Sequence, residues 1–183
     1  QLKTELTTSR AIGERLRYGS DFAKIYRILN KDCKAIDVNI RIGQLSQSNT
    51  TREEYGDIEE STIYYNIKYK PLFSTVGKTS QYSTPVTETI TGKISYGYIR
   101  TTRISFVSST NDFITDNDFL GWEVKIERTT PDSINTAVRN QTSIDSITEV
   151  FGDVFTYPNS AIVATKFSAD YFSQIPSRAY DTK

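Results

Sequence analysis

Histidine and methionine are both absent from the 183 residues of this chain, and cysteine occurs once, as Cys33. Without histidine there is no imidazole base or ligand, which excludes the usual serine and cysteine triads and histidine-ligated zinc. A single cysteine cannot form an intrachain disulfide, so a disulfide-rich secreted scaffold is excluded as well. We interpret Cys33 as an inert thiol in or near a strand.

The chain also lacks net charge and long apolar runs. Lysine plus arginine and aspartate plus glutamate number 22 each, so no overall field attracts nucleic acid. The longest apolar run is far shorter than the roughly 20 residues of a membrane span. The chain opens on Gln1 without the features of a signal peptide. We therefore expect a segment of a longer polypeptide that neither spans a membrane nor binds nucleic acid specifically.

Residues that favour sheet are abundant. The chain has 12 tyrosines and 9 phenylalanines, with many threonines, serines and isoleucines. Apolar and polar residues alternate with period two over residues 36–42, 63–69 and 122–126, which predicts three strands with one buried face each. Residues 22–29 fit both helical spacing and an edge strand. We favour the strand, because the loop-forming residues Gly19 and Ser20 come just before this segment and its β-branched and aromatic residues are frequent.

The remaining segments give weaker signals. Residues 43–60 are polar and acidic and predict a long surface loop, and Pro71 predicts the end of the 63–69 strand. The apolar positions change phase within residues 94–107, which predicts a bulge or bend between two strands. Two short apolar pieces occur around Gly152 in residues 142–155.

These patterns together predict an all-β fold. About eight or nine strands at spacings of about ten residues, with little helix, describe an antiparallel β-sandwich of fibronectin-like or immunoglobulin-like architecture. We assign the sandwich domain to residues 1–153 and a strand-bearing segment to residues 154–183. Residues 161–167 are apolar on both faces apart from Thr165 and Lys166, so we expect this run to leave the sandwich and pair with a following domain.

Two groups of carboxylates have spacings that occur in calcium-binding or catalytic sites. Asp116, Asp118, Gly121 and Glu127 match four positions of a calcium-loop spacing, but the fifth position is Leu120 and the second half alternates like a strand. We interpret this segment as a hairpin loop.

The second group is Glu123 and Glu127, whose spacing allows the carboxylate pair of a glycosidase. They alternate with Lys125, which is typical of a charged sheet surface. We therefore predict no catalytic residues, no metal site and no cofactor.

Tyrosines are the only candidate binding residues that the composition offers. Tyr64, Tyr69, Tyr96 and Tyr98 are suited to a sugar-stacking or protein-binding surface, because tyrosine combines an apolar ring with a polar tip. In an all-β domain, tyrosines more often fill the core and its margins. Both interpretations remain open at this stage.

Several motifs resemble the host-specificity (tip attachment, J) proteins of long-tailed bacteriophages. They are RTTPDS at 128–133, DSITE at 145–149 and YPNSA at 157–161, which follow one another in the order seen in that family. Similarity extends over most of the chain, including residues 35–42, 122–128 and the Ile175-Pro176 pair. The segments 43–60 and 74–85 follow no family pattern.

The resemblance implies a structural role. It suggests a non-enzymatic β-rich module, inserted into or beside the hub domains of a tail tip protein in the virion. The full-length protein is expected to be a homotrimer that contacts other tail tip and tail tube proteins and a host surface receptor. It would serve tail assembly, receptor attachment and genome delivery. A carbohydrate-binding or glycan-cleaving sandwich is the alternative.

Overall fold

The computed structural model describes residues 6–49, 56–75, 77–78, 80–106, 117–133 and 137–151. All of them belong to one compact unit, Leu2–Val154. They form eleven strands and a single turn of 3-10 helix, Ser20–Phe22. The strands are β1 (Leu6–Leu16), β2 (Lys24–Ile28), β3 (Cys33–Ile42), β4 (Ser46–Ser48), β5 (Ile58–Glu59), β6 (Ser61–Phe73), β7 (Val86–Gly92), β8 (Tyr98–Ser105), β9 (Phe119–Arg128), β10 (Val138–Arg139) and β11 (Thr142–Phe151).

Two four-stranded sheets build the sandwich. The first has the order β1-β11-β3-β8 and the second the order β2-β9-β6-β7, while β10-β4-β5 form a small third sheet. Every strand pair within these sheets is antiparallel. Buried residues of both large sheets join one hydrophobic core. The predicted all-β antiparallel sandwich with little helix is therefore confirmed.

The core is built from the alternating strands that the sequence predicted. In β3, Ile36, Val38, Ile40 and Ile42 are fully buried, while the residues between them face outward. Each such side chain contributes about 1.5–3 kcal/mol by leaving water. The strand preferred over a helix at residues 22–29 is also correct: β2 is an edge strand that pairs only with β9.

Aromatic rings fill one end of this core. Trp122 of β9 stacks on Phe106, with ring centroids 4.7 Å apart and planes 11° apart. Tyr69 and Phe119 meet the indole edge-on at 5.8 and 5.4 Å. Such aromatic pairs are worth about 0.5–1.5 kcal/mol beyond their buried area.

The prediction of one long loop over residues 43–60 is wrong in part. β4 and β5 lie within it and pair through Gln47–Glu59 and Ser48–Ile58. Three of the four facing side chains are polar, and Gln47 Nε2 donates to Glu59 Oε2 at 3.2 Å. A strand whose contacts are mostly polar shows no apolar alternation, so the sequence pattern missed it.

The prediction that Pro71 ends its strand is also wrong, because β6 continues to Phe73. β7 pairs with β6 only as far as Ile67, and beyond it the 80–83 segment covers this edge, where the Ser83 amide donates to the Tyr69 carbonyl at 2.8 Å. The Pro71 carbonyl accepts from Ser80 Oγ at 2.7 Å on this edge, away from β9. N–H and C=O of one strand residue point to the same side, so the missing N–H of Pro71 breaks no bond to β9.

One further segment differs from the prediction of two strands within residues 94–107. Residues 94–97 form only an isolated bridge, Leu45 to Ile94, before the single strand β8 begins. β11 ends at Phe151 and so contains the first of the two apolar pieces predicted around Gly152, while the second lies outside the described residues. Its buried apolar residues, Ile144, Ile147 and Val150, are three apart rather than two. A register shift between Ile144 and Ser146 accounts for the first of these two intervals.

The C-terminal predictions concern residues outside those described. The apolar run 161–167 and the connector after it belong to this region. The division of the chain into 1–153 and 154–183 therefore stays a prediction.

Gly121 marks the closest approach of two backbones in the second sheet. Its φ is +140°, and an added Cβ would lie 2.0 Å from the carbonyl oxygen of Ile28. β2 and β9 therefore reach their observed spacing only with glycine at this position.

We expect Gly121→Ala to lower the free energy of unfolding by at least about 2 kcal/mol, from backbone strain and the forced separation of β2 from β9. Gly43→Ala is the matched control, because a Cβ there meets nothing within 4 Å. Chemical denaturation of both variants measures the difference. Equal midpoints for the two would contradict the assignment of a close backbone contact.

Candidate functional site

The described part of the chain holds no cluster of three or more residues suited to bind a metal ion. It also contains no helix with the length and apolarity of a membrane crossing. In the segment that resembles a calcium loop, Asp118 accepts hydrogen bonds from Ser74 Oγ and Thr75 Oγ1. Strand β9 begins one residue later. Asp116 lies outside the described residues.

The four predicted binding tyrosines do not share one surface. Tyr69 points into the core, where its ring meets Phe106 edge-on at 5.2 Å. Tyr64 lies on the opposite face of β6 and is 44% exposed. Tyr96 and Tyr98, 77% and 40% exposed, lie before and at the start of β8, in the other large sheet. The core interpretation holds for Tyr69, and a binding role for the other three stays a prediction.

Glu123 is the centre of a polar cluster on the outer face of the second sheet. Its carboxylate accepts a 2.7 Å hydrogen bond from Tyr82 Oη. Lys70 Nζ lies 3.2 Å from one carboxylate oxygen and Arg27 Nε 3.4 Å from the other. Tyr82 reaches Glu123 from the segment between β6 and β7, and the ammonium of Lys70 also lies 4.8 Å from the centre of the Tyr82 ring.

These partners determine the charge of Glu123. Burial raises the pKa of the carboxyl, but hydrogen bonds from Tyr82, Lys70 and Arg27 more than offset this, and the net pKa is lowered. Burial and the hydrogen bond to Glu123 raise the pKa of Tyr82 to about 12. A glycosidase acid needs the reverse, a carboxyl with a raised pKa. The Glu123–Glu127 face is therefore a charged sheet surface, as the sequence indicated.

Arg128 is a charged residue whose side chain is buried. It ends β9 on the inward face, continuing the buried alternation of Trp122, Val124 and Ile126, and is 1% exposed. Burial lowers the pKa of its guanidinium, an effect that the Asp132 carboxylate opposes and Arg15 enhances. An arginine stays charged even so, and a buried charge requires partners.

The partners of Arg128 come from its own loop and from the other sheet. Its Nε donates to the carbonyl of Thr130 at 2.9 Å, and its Nη2 reaches the carbonyl of Pro131 at 3.4 Å. Nη1 donates to Thr142 Oγ1 of β11 at 3.1 Å and lies 3.6 Å from Asp132 Oδ1. The guanidinium thus joins the two large sheets at this corner.

The connection from β1 to β2, which leads from the first large sheet to the second, begins at the same corner. Thr142 Oγ1 donates to the Leu16 carbonyl at the end of β1, at 3.4 Å. The Tyr18 amide donates to Asp132 Oδ2 at 3.1 Å, and the Gly19 amide donates to the Arg128 carbonyl at 3.2 Å. We call this group of residues, Arg128 to Asp132 with Leu16, Tyr18 and Thr142, the Arg128 corner.

The sequence carries a signal for this corner in the RTTPDS motif at 128–133. The RTTPDS motif carried part of the family resemblance, but without a role for its arginine. A charged residue that continues an apolar alternation, directly before a proline-containing turn, predicts a buried cation held by turn carbonyls. The partners Leu16 and Thr142 lie too far along the chain for any local pattern to identify them.

Among the described residues, two open clefts are possible binding sites. One, of about 460 Å³, is lined by Glu14, Arg15, Arg17, Asp21, Phe22, Ala23 and Lys24. The other, of about 480 Å³, lies beside the small third sheet and is lined by Gln44, Ser46, Ser48, Ile58, Lys93, Ile94, Ser95 and Arg139. In the first cleft Glu14 pairs with Lys24 at 2.8 Å, so these two charges compensate each other and attract a charged ligand less.

Comparison with known proteins identifies relatives of this module. The model of the tip attachment protein J FNIII-A domain matches residues 8–153. The tip attachment protein J of Escherichia phage SECphi4 is 27% identical over 177 residues, which cover 92% of this chain and 13% of that protein. The chain thus spans about an eighth of the length of this curated relative. The matched residues include β2 to β11 and most of β1.

We expect Arg128→Met to lower the free energy of unfolding by about 3 kcal/mol, because the buried Thr142 hydroxyl and two part-buried turn carbonyls lose their donor. Arg41→Met is the matched control: Arg41 pairs with Asp145 on the exposed outer face of β3, where an ion pair is worth less than about 1 kcal/mol. Urea unfolding of both variants tests the difference. A loss at position 128 no larger than at position 41 would show that the corner contributes little.

Acid stability provides a separate test of the Glu123 cluster. The folded-state pKa of Glu123 is lowered, so its stabilising contribution is present above the unfolded pKa of about 4.3 and is lost as the pH falls through the folded value. Glu123→Gln should lower the unfolding midpoint at pH 7 but flatten its decline below about pH 4.3. Glu127→Gln, whose carboxylate has one ion-pair contact at 3.7 Å, is the control. The cluster has no special role if both variants decline with pH as the parent does.

Proposed function

Because the chain belongs to the tip attachment protein J family, in which it matches the FNIII-A domain, we propose that it is a non-enzymatic structural module that helps a phage tail tip to assemble and attach to its host. Family membership makes it part of a phage tail tip protein, and so a component of the virion. The observation that carries the proposal is a rigid two-sheet core, cross-linked through Arg128, that matches the family over residues 8–153.

The two ends of the module support its insertion beside larger hub domains. Leu6 at the start of β1 pairs directly with Phe151 at the end of β11. Chain entry and exit are therefore neighbouring strands of one sheet, the arrangement that permits a domain to be inserted into another. The apolar run 161–167 would then pair with the following hub domain.

The partners of the full-length protein follow from the same proposal. We infer a homotrimer around the tail axis, because a closed ring keeps a head-to-tail contact from becoming a filament. Other tail tip proteins and the tail tube would contact the hub. Receptor binding and genome delivery would be functions of the whole protein, with this module as a spacer that holds its neighbours in place.

A phage carrying variants of the full-length protein tests the proposal. Gly121→Ala or Arg128→Met should reduce the number of particles with complete tails, because a module that unfolds cannot position the hub. Gly43→Ala should leave the particle yield unchanged. Electron microscopy and plaque counts give the measurement. Normal tails and normal infectivity with a module shown to be unfolded would contradict the proposed role.

The oligomeric state is tested separately by sedimentation of the full-length protein. We expect the mass of a trimer under conditions where the protein remains folded. A folded monomer would contradict the trimer and leave the structural role of the module to be judged by the tail assembly experiment.

A further inference from the structure

The cleft beside the small third sheet combines unpaired positive charge with groups that bind sugars. Its walls are Gln44, the β4 residues Ser46 and Ser48, Ile58 of β5, Arg139 of β10, and residues 93–95 between β7 and β8. None of the described residues that line it is acidic. Its volume of about 480 Å³ is within the range of about 300–1,000 Å³ that small ligands occupy.

Arg139 is held in place without losing its charge. Its Nη1 donates to Gln44 Oε1 at 2.7 Å, and Gln44 Nε2 in turn donates to the Ser95 carbonyl at 3.4 Å. This chain of contacts uses one guanidinium donor of five and a neutral acceptor. The remaining donors of Arg139 are available to a ligand.

Lys93 is the second cation of the cleft. Within the described ranges, neither Lys93 nor Arg139 forms an ion pair. Several strand cations elsewhere do pair with a carboxylate: Arg27, Arg41, Lys70, Arg100, Arg103 and Lys125. Two unpaired cations from different elements that line one cleft point to an anionic group between them.

The other lining groups determine the rest of the ligand. Gln44, Ser46 and Ser48 supply amide and hydroxyl groups, which bind sugar hydroxyls, and Ile58 and Ile94 supply apolar surface. The exposed ring of Tyr96 directly follows the lining residue Ser95. We propose that this cleft binds an acidic saccharide, with its carboxylate or phosphate on Arg139 and Lys93 and its hydroxyls on the polar wall.

This inference does not depend on the structural role proposed above. A tail tip module needs no ligand to act as a spacer, and a saccharide site could exist on a module with another role. Binding of an envelope saccharide would add a contact between the tail tip and an acidic glycan.

Titration of the 183-residue chain, followed by NMR, tests the site with four probes. They are the disaccharide of galacturonic acid, the neutral disaccharide of galactose, glucose 6-phosphate and inorganic phosphate. We expect the two acidic sugars to bind and to shift the amide signals of Ser46, Ser95 and Arg139. The neutral disaccharide should bind at least about tenfold more weakly, because it lacks the charged group.

Variants of exposed residues identify the cations involved. Arg139→Gln and Lys93→Gln should each weaken binding of glucose 6-phosphate about tenfold. Lys31→Gln, in the turn before β3, should leave it unchanged. Near-ultraviolet circular dichroism verifies that all three variants remain folded.

Three results would overturn the proposal. They are no binding of either acidic sugar, equal binding of the acidic and neutral disaccharides, or binding unaffected by both cleft variants. Inorganic phosphate binding as tightly as glucose 6-phosphate would show an adventitious ion only, and would also overturn it. None of these results bears on tail assembly.

Discussion

The buried charge of Arg128 is the constraint on which the rest of the sandwich depends. A guanidinium removed from water requires hydrogen-bond acceptors, and here they come from the 129–132 turn and from Thr142 of the opposite sheet. Satisfying this charge fixes the exit of β9, the start of β11 and, through Thr142, the end of β1. An apolar residue of similar size could fill the space but could not specify which of these segments meet.

Other polar contacts reinforce the alignment of the sheets at a distance from this corner. Tyr65 Oη lies 3.2 Å from Thr102 Oγ1 across the core, and Arg100 pairs with Glu88 between the edge strands β8 and β7. Glu123 fastens the 80–85 segment to the outside of the second sheet. These contacts oppose sliding of the sheets more specifically than apolar packing does.

The sequence predicted the parts of this structure that rest on local alternation. β3, β6 and β9 each show it, and the same phase that buries Ile63, Tyr65 and Ile67 also carries Tyr69 inward. It failed where the physical cause is non-local. A bulge disrupts the period of β11, and mostly polar cross-strand pairs conceal β4 and β5. Arg27, a partner of Glu123, is 96 residues away along the chain, and Thr142, a partner of Arg128, belongs to another sheet. The cleft with Arg139 and Lys93 likewise arises only when four separate segments meet.

A double-mutant cycle between Arg128 and Thr142 tests the claim that this contact joins the sheets most directly. The free energies of unfolding of Arg128→Met, Thr142→Val and the double variant are compared with that of the parent. If the two side chains act through one another, the account predicts a coupling energy of about 1–2 kcal/mol. Losses that add within about 0.3 kcal/mol would contradict it, and would mean that this contact does not hold the two sheets together.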